Sequence, residues 1–278
     1  MPEAVEYRVP LARLPAPFPF EAPSSWVCRA ALSQGESLKA FFSYVEIALR
    51  GDVDLRLCSS PGVAAMSRLG LATPFPLARV IFGRVCAMKG GTDLLLLRDD
   101  TGGPSYRYCI HCLRAHRTPH FEIHGRFVAW RFCPLHDCLL QEGCPHCRAP
   151  ISLPIDMLSS GPDRAGIAFL SECRHCGKSL KDGSPMGIYE ARLSPWEHVL
   201  LKNGRASMAA LLMGSGRALE TGREVSLKAL ARSGLLPLQN QWPAASELRE
   251  RMLVASDIIR QAREGGGAPR RTALTRTR

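Results

Sequence analysis

A mainly α-helical fold with a small α+β module at its centre follows from three observations. Four short Cys/His pairs cluster between residues 109 and 176 of the 278. On either side, apolar residues recur at helical spacing behind Ser and Pro start signals. With 46% hydrophobic residues the chain can build real cores, yet no stretch approaches the length of a membrane span; Asp93–Leu97 is far too short. The expected organisation is a helical domain over 1–98, the Cys/His module over 99–182, a helical region over 183–264 and a basic disordered tail over 265–278.

Residues 1–23 carry Pro10, Pro15, Pro17, Pro19 and Pro23 and read as an extended strap. Ser24 is a candidate cap for a first helix bearing Trp26, Val27, Ala30 and Ala31, with Gly35 at its end. Ser37 opens a second, whose stripe is Leu38, Phe41, Phe42, Val45 and Ala48. Pro61 starts a third that runs to Leu69 and stops at Gly70. Leu77–Val85 fits either a helix or a strand. Residues 98–104, with an Asp-Asp-Thr-Gly-Gly-Pro run, form a loop.

The pairs then follow as Cys109/Cys112, Cys133/His136, Cys144/Cys147 and Cys173/Cys176, separated by gaps of 20, 7 and 25 residues. Two soft donors two residues apart fit one tight turn, and two such turns complete a tetrahedron around zinc. The simplest assignment is sequential. Site one is then Cys109, Cys112, Cys133 and His136, and site two is Cys144, Cys147, Cys173 and Cys176. A cross-braced pairing, first with third and second with fourth, is the alternative. Either way the module is a two-zinc, zinc-ribbon or treble-clef-like α+β unit holding two zinc ions per chain. A disulfide framework fits less well. Met1–Pro10 lacks the apolar run of a secretory leader, eleven cysteines is an odd number, and clustered pairs in a cytosolic chain read as metal ligands. Cys28, Cys58 and Cys86 read as small buried hydrophobes, and so does Cys138, which is also a candidate substitute ligand. His111, His146 and His175 sit inside the turns, where side chains point away from a metal.

Phe121–Phe132 is aromatic, interrupted by Gly125, and reads as a short helix or strand leading into a strand. Arg114, Arg117, Arg126 and Arg131 surround it. The net charge of +11, together with basic side chains on a rigid zinc scaffold, suggests a nucleic-acid partner, with these four as candidate phosphate contacts. A solvated face that keeps a small module soluble is the competing account. Beyond the module, Ser194-Pro-Trp-Glu197 is a capping box with Pro at the first helical position. Asn203-Gly204 is expected to break that helix, with Ala206–Met213 resuming it and Met213–Gly216 forming a turn. Helices are expected over 226–233 and 246–262. The tail carries Arg270, Arg271, Arg276 and Arg278 with no acid.

Several of these residues resemble the TniQ/TnsD family of transposon target-selection proteins. Pro17–Arg29 is similar to the family's opening, in which a Pro-rich strap precedes a Ser-Trp and an arginine on the first helix. Tyr108–Leu113, Pro119-His-Phe121 and Trp130–His136 are similar to its first zinc finger. Leu139–Cys147 and Cys173–Gly177 are similar to its second. The similarity spans about residues 10–180. It departs where Glu21-Ala-Pro-Ser24 replaces a Gly-Glu-Ser, and where Arg114-Ala-His116 replaces an acidic residue. Pro237 and Pro243 follow the last short helix, where the family often continues with helix-turn-helix units. The resemblance implies a non-catalytic target-selection adaptor in DNA transposition, cytoplasmic and associated with the bacterial nucleoid. Its implied partners are DNA, an AAA+ ATPase of the TnsC/TniB type and, in some members, a guide-RNA complex; a homodimer is also allowed, a membrane is not. Trp26 and Arg29 become candidate partner contacts on that basis, with Trp26 holding the strap onto its own domain as the competing account.

The residues alone agree on the lack of an active site: there is no Gly-rich phosphate loop, no acidic cluster for two-metal chemistry and no Ser/His/Asp pattern. Two alternatives stand beside this reading. One is a zinc-finger DNA-binding transcription regulator, which would not need an ATPase. The other is a zinc-dependent deaminase, because His120-Phe-Glu122 and Cys144-Pro-His-Cys147 imitate its His-x-Glu and Pro-Cys-x-x-Cys signature. There Gly143 stands where the proline belongs, and six other ligands are left without a role.

Overall fold

A computed structural model describes residues 11, 14–70, 75–158, 169–187, 190, 192–229 and 237–241. All of them belong to one compact unit that runs to Trp242. The boundaries expected near 98 and 182 therefore do not separate compact units. The helix expected over 246–262 and the tail from 265 lie outside the described residues, as do the first ten residues of the strap and the end of the helix expected over 226–233.

Among the described residues, six helices precede the module: α1 (Pro23–Ser33), α2 (Leu38–Val45), α3 (Val53–Cys58), α4 (Ser60–Arg68), α5 (Pro76–Ala87) and α6 (Gly91–Leu95). The module itself contains β1 (Ser105–Tyr106), α7 (Ile110–Ala115), a 3-10 turn (Ile123–Arg126), β2 (Phe132–Cys133), β3 (Cys138–Leu139) and β4 (Ile151–Ser152). After it come α8 (Pro195–Met213), β5 (Ser215–Arg217) and β6 (Glu224–Ser226). The strands make three antiparallel pairs, β1 with β4, β2 with β3 and β5 with β6. The fold is thus helix-rich with few, short strands, and among the described residues no helix is long and apolar enough to cross a membrane.

Local chemistry explains most boundaries. Ser37 accepts a hydrogen bond from the Ala40 N–H at 3.2 Å and caps α2, whose Leu38, Phe41, Phe42 and Val45 are buried. That helix ends at Glu46 in the left-handed region, so Ala48 is exposed and lies outside the stripe. Ser59 caps α4, and Gly70, with φ of +78°, lies just past its end. The 77–85 segment is a helix: Leu77, Ala78, Ile81, Phe82 and Val85 are buried at its period, behind Pro76 in the first turn. Ser24 is not a cap. Ala22 occupies that position and Pro23 begins α1, while Ser24 points inward, its N–H donating to Asp54 Oδ1 at 2.8 Å and its hydroxyl 2.7 Å from the Tyr106 hydroxyl.

The strap is held by α1 and by the module. Trp26, fully buried, donates its indole N–H to the Pro15 carbonyl at 2.7 Å and meets Phe41 and Phe75 edge-on. Arg29 pairs with buried Glu21, donates to the Ala16 carbonyl and lies over the Phe18 ring at 4.7 Å. Backbone bonds from Ala22 N to Phe121 O and from Ile123 N to Phe20 O tie the strap to the module at 2.8 and 2.9 Å. Trp26 and Arg29, expected as partner contacts, are therefore corrected to internal ones: both side chains are committed to folding the strap.

A second correction concerns Arg126, a candidate phosphate contact. Its side chain has no solvent exposure. The guanidinium pairs with Asp54 at 3.0 Å and with Asp52, and donates to the Leu97 carbonyl. Asp54 also accepts from Tyr106 and from the Ser24 N–H, and Asp52 caps α3 through the Leu55 N–H. Burial raises the Asp52 pKa, an effect the Arg126 charge opposes. Removing one member of such a buried pair leaves an uncompensated charge, at a cost of about 3–5 kcal/mol. Arg126→Met should thus lower stability by that order in denaturant unfolding. A melt like wild type would show that the buried pair adds nothing to stability.

Helix α8 carries the expected capping box, Ser194 and Glu197 bonding each other's backbone N–H at 3.3 and 2.7 Å. It does not break at Asn203-Gly204. Asn203 is buried and its side-chain oxygen accepts from the Leu238 N–H at 2.8 Å. Gly204 lets the helix lie against the module: a Cβ there would sit 2.4 Å from the Ala129 carbonyl oxygen and 3.0 Å from Trp130 Cα. Helix propensity favours Ala over Gly by about 1 kcal/mol, but the clash is with backbone and opposes it. Gly204→Ala should therefore destabilise, by about 1–3 kcal/mol; a rise in melting temperature would refute the close contact.

Candidate metal centres

Both sequential ligand sets are assembled. Cys109, Cys112, Cys133 and His136 bring one donor atom each to within 4.8 Å of one another, and so do Cys144, Cys147, Cys173 and Cys176. The cross-braced alternative does not form.

The geometry is more specific than proximity. A regular tetrahedron built on Zn–S bonds of about 2.3 Å and Zn–N bonds of about 2.0 Å has S···S edges of about 3.8 Å and S···N edges of about 3.5 Å. At the first site His136 Nδ1 lies 3.5, 3.4 and 3.5 Å from the sulfurs of Cys109, Cys112 and Cys133, and the Cys112 and Cys133 sulfurs are 3.7 Å apart. At the second, Cys144–Cys176 and Cys147–Cys173 are 3.7 and 3.6 Å. The residues fit a four-coordinate ion of that size at both sites. Without a cation the thiols cannot all ionise. Hydrogen bonds from Cys112 and Cys133 pull Cys109 far down, to about 2, and the Cys109 contact in turn pushes Cys112 up.

Three of the four pairs share one backbone turn. Cys144 N–H donates to Ala149 O and Arg148 N–H to Cys144 O, at 2.8 and 3.0 Å; Cys173 N–H donates to Lys178 O and Gly177 N–H to Cys173 O, at 2.9 and 2.8 Å. His146 and His175 give their N–H groups to the sulfurs of Cys144 and Cys173, each at 3.4 Å. The turn requires a left-handed residue four positions after the first cysteine. Gly177 fills it with φ of +70°, whereas Arg148 and, in the first site, Asp137 occupy it at +64° and +46°. The fourth pair differs: Cys109 precedes α7 and its sulfur accepts the Cys112 N–H at 3.5 Å. Site one therefore joins a helix N-terminus to the β2–β3 hairpin, and site two joins two turns.

The inner histidines stay off the metal positions. His146 Nε2 lies 3.2 Å from both Ser179 O and Asp182, and His175 is exposed. Cys138, opposite Cys133 in the hairpin, approaches Cys109 at 3.7 Å but is not in the set of four; burial pushes its thiol up to about 12. The deaminase signature is not assembled, because Cys144 and Cys147 complete a four-cysteine set while His120 and Glu122 group with His116 instead. Sequence reasoning did not bring those three together; their His-x-x-x-His-x-Glu spacing is the signal that could have.

Of the four arginines proposed for phosphate, Arg114, Arg117 and Arg131 are exposed. Arg114 braces α7 against the second site, donating to the carbonyls of Lys181 and Gly183 at 2.7 and 2.9 Å. Arg126 is in the core. Comparison with protein-family models finds no match, and comparison with curated proteins finds none either.

Each site should lose its ion independently. Ligand binding by structural zinc in small fingers is worth about 10–16 kcal/mol and is coupled to folding. Cys112→Ser and Cys147→Ser should each remove one metal equivalent and unfold the surrounding loops, read by metal analysis and circular dichroism. Cys138→Ser should keep both equivalents; losing one would make it a ligand.

Proposed function

We propose that the ions are zinc and that the protein is a non-catalytic adaptor for target selection in DNA transposition, linking DNA or a guide-RNA complex to an AAA+ ATPase of the TnsC/TniB type. The observation that carries the reading is the pair of closed four-ligand sites at the residues that resemble the TniQ/TnsD fingers. A site whose four positions are all protein donors leaves none for substrate and is structural in kind. The strap of the same resemblance is present and bound to this module, which supports treating the two as one scaffold. Its Trp26 and Arg29 are internal, so the ATPase is expected to engage other surface.

DNA is expected to meet the basic face that includes Arg117 and Arg131. Counterion release makes such binding fall steeply with salt. Reversing both charges with Arg117→Glu and Arg131→Glu should weaken DNA binding and flatten its salt dependence while leaving the melting temperature near wild type. Unchanged DNA affinity in that variant would remove this face from the proposal. Failure to co-purify with any AAA+ ATPase of the named type, with DNA binding intact, would favour the transcription-regulator reading instead.

A further inference from the structure

Beside the first metal centre lies a cavity of about 220 Å³ between the strap, α7 and the 3-10 turn, lined in part by Phe20, His116, His120, Glu122, Trp130 and Arg205. Three of these side chains, His116, His120 and Glu122, bring donor atoms to within 4.8 Å of one another. We propose that they form a third metal site, open on the cavity side, for a divalent first-row transition ion such as zinc or cobalt.

The chemistry of each donor fits. His120 Nδ1 lies 3.0 Å from the Thr118 carbonyl, which only an N–H can satisfy. That bond places the proton on Nδ1 and leaves the Nε2 lone pair for a metal, the usual outer-shell arrangement of a ligating histidine. His116 Nδ1 is buried with no hydrogen-bond partner among the described residues. An unsatisfied buried polar atom is costly, and a coordinated ion would remove that cost. Burial and the neighbouring His120 hold the His116 pKa below its ordinary value, so its imidazole is neutral and has a lone pair to give. Glu122 Oε2 lies 3.2 Å from His124 Nδ1, an outer partner that fixes the carboxylate. Burial opposes ionisation of Glu122, but the hydrogen bond from His124 works against it and the carboxyl lies below its usual range.

His120 lies against Phe18, at 4.3 Å, and against His116, at 4.1 Å with planes 2° apart, so one imidazole must turn out of the stack for both lone pairs to meet one ion. Two imidazoles and one carboxylate suit zinc, cobalt or iron and disfavour magnesium or calcium. The contrast with the two cysteine sites is in coordination number. Those have four protein donors each, whereas this group has three, so water or another small ligand from the cavity would complete the ion.

The test uses full-length protein without a histidine tag, carrying its tightly held metals and washed with a mild chelator. Cobalt(II) is then titrated, with binding read by equilibrium dialysis and by absorption. Wild type should take up one additional equivalent. Its spectrum should show weak d–d bands without new thiolate charge transfer, because no sulfur is involved. Glu122→Gln and His116→Phe should abolish that equivalent; the phenylalanine keeps the ring stack and removes only the donors. Both variants should retain the cysteine-bound metal and the wild-type melt. No additional equivalent in wild type overturns the proposal. So does an additional equivalent that survives both substitutions, since it would then sit elsewhere. Should His116→Phe unfold the protein, Glu122→Gln and a third variant, His120→Phe, decide the matter by the same readout.

Discussion

One guanidinium, out of contact with solvent, joins segments that the sequence keeps far apart. Arg126 comes from the middle of the module, Asp52 and Asp54 from the start of α3, Tyr106 from β1 and Ser24 from α1. Each of these groups would be costly to bury alone, and together they satisfy one another. Their mutual dependence explains why the helical layer and the module form one body. It also explains why α3, only six residues long, is a fixed element: its first turn supplies both carboxylates.

The metal centres answer a different problem. Strands of two or three residues cannot hold a sheet by ladder bonds alone. Its turns are instead closed by backbone bonds around each cysteine pair. An ion at each site would link two such turns, or a turn and a helix start, across 20 or 25 intervening residues. The left-handed Arg148 and Asp137 fit this picture. A side chain in that conformation is strained, and it persists where the surrounding bonds determine the turn.

What the sequence disclosed follows the range of the interaction. Ligand pairs two residues apart, the Ser37 cap and the Ser194–Glu197 box are decided within one turn of chain, and each was legible. The pairing of Cys109 with His136 was legible as the simplest choice, though spacing left the cross-braced alternative open. Arg126 was misread because its carboxylate partners lie more than 70 residues away and nothing local marks it as buried. Asn203-Gly204 was misread for the same reason. As a dipeptide it signals a turn, but the Ala129 carbonyl and the Leu238 N–H, both distant in sequence, give each residue a role inside a helix. The His116, His120 and Glu122 group was visible only as half of an imitation deaminase motif, since α7 ends at Ala115 and no helical periodicity connects the three.

Net charge illustrates how far composition reaches. The excess of +11 belongs to the whole chain and says nothing of where each charge is used. Of the four arginines around the first metal centre, Arg126 is paired with Asp52 and buried Asp54. Arg114 is tied to two carbonyls of the second site, and Arg107 nearby is bound to Glu142 and the Val128 carbonyl. Only Arg117 and Arg131 of the four present exposed charge without a role in the packing described above. An arginine that braces two loops still contributes its field at the surface, because hydrogen bonds to carbonyls leave its charge intact. Arg114 therefore keeps its positive charge at the surface while two carbonyls fix the orientation of its guanidinium.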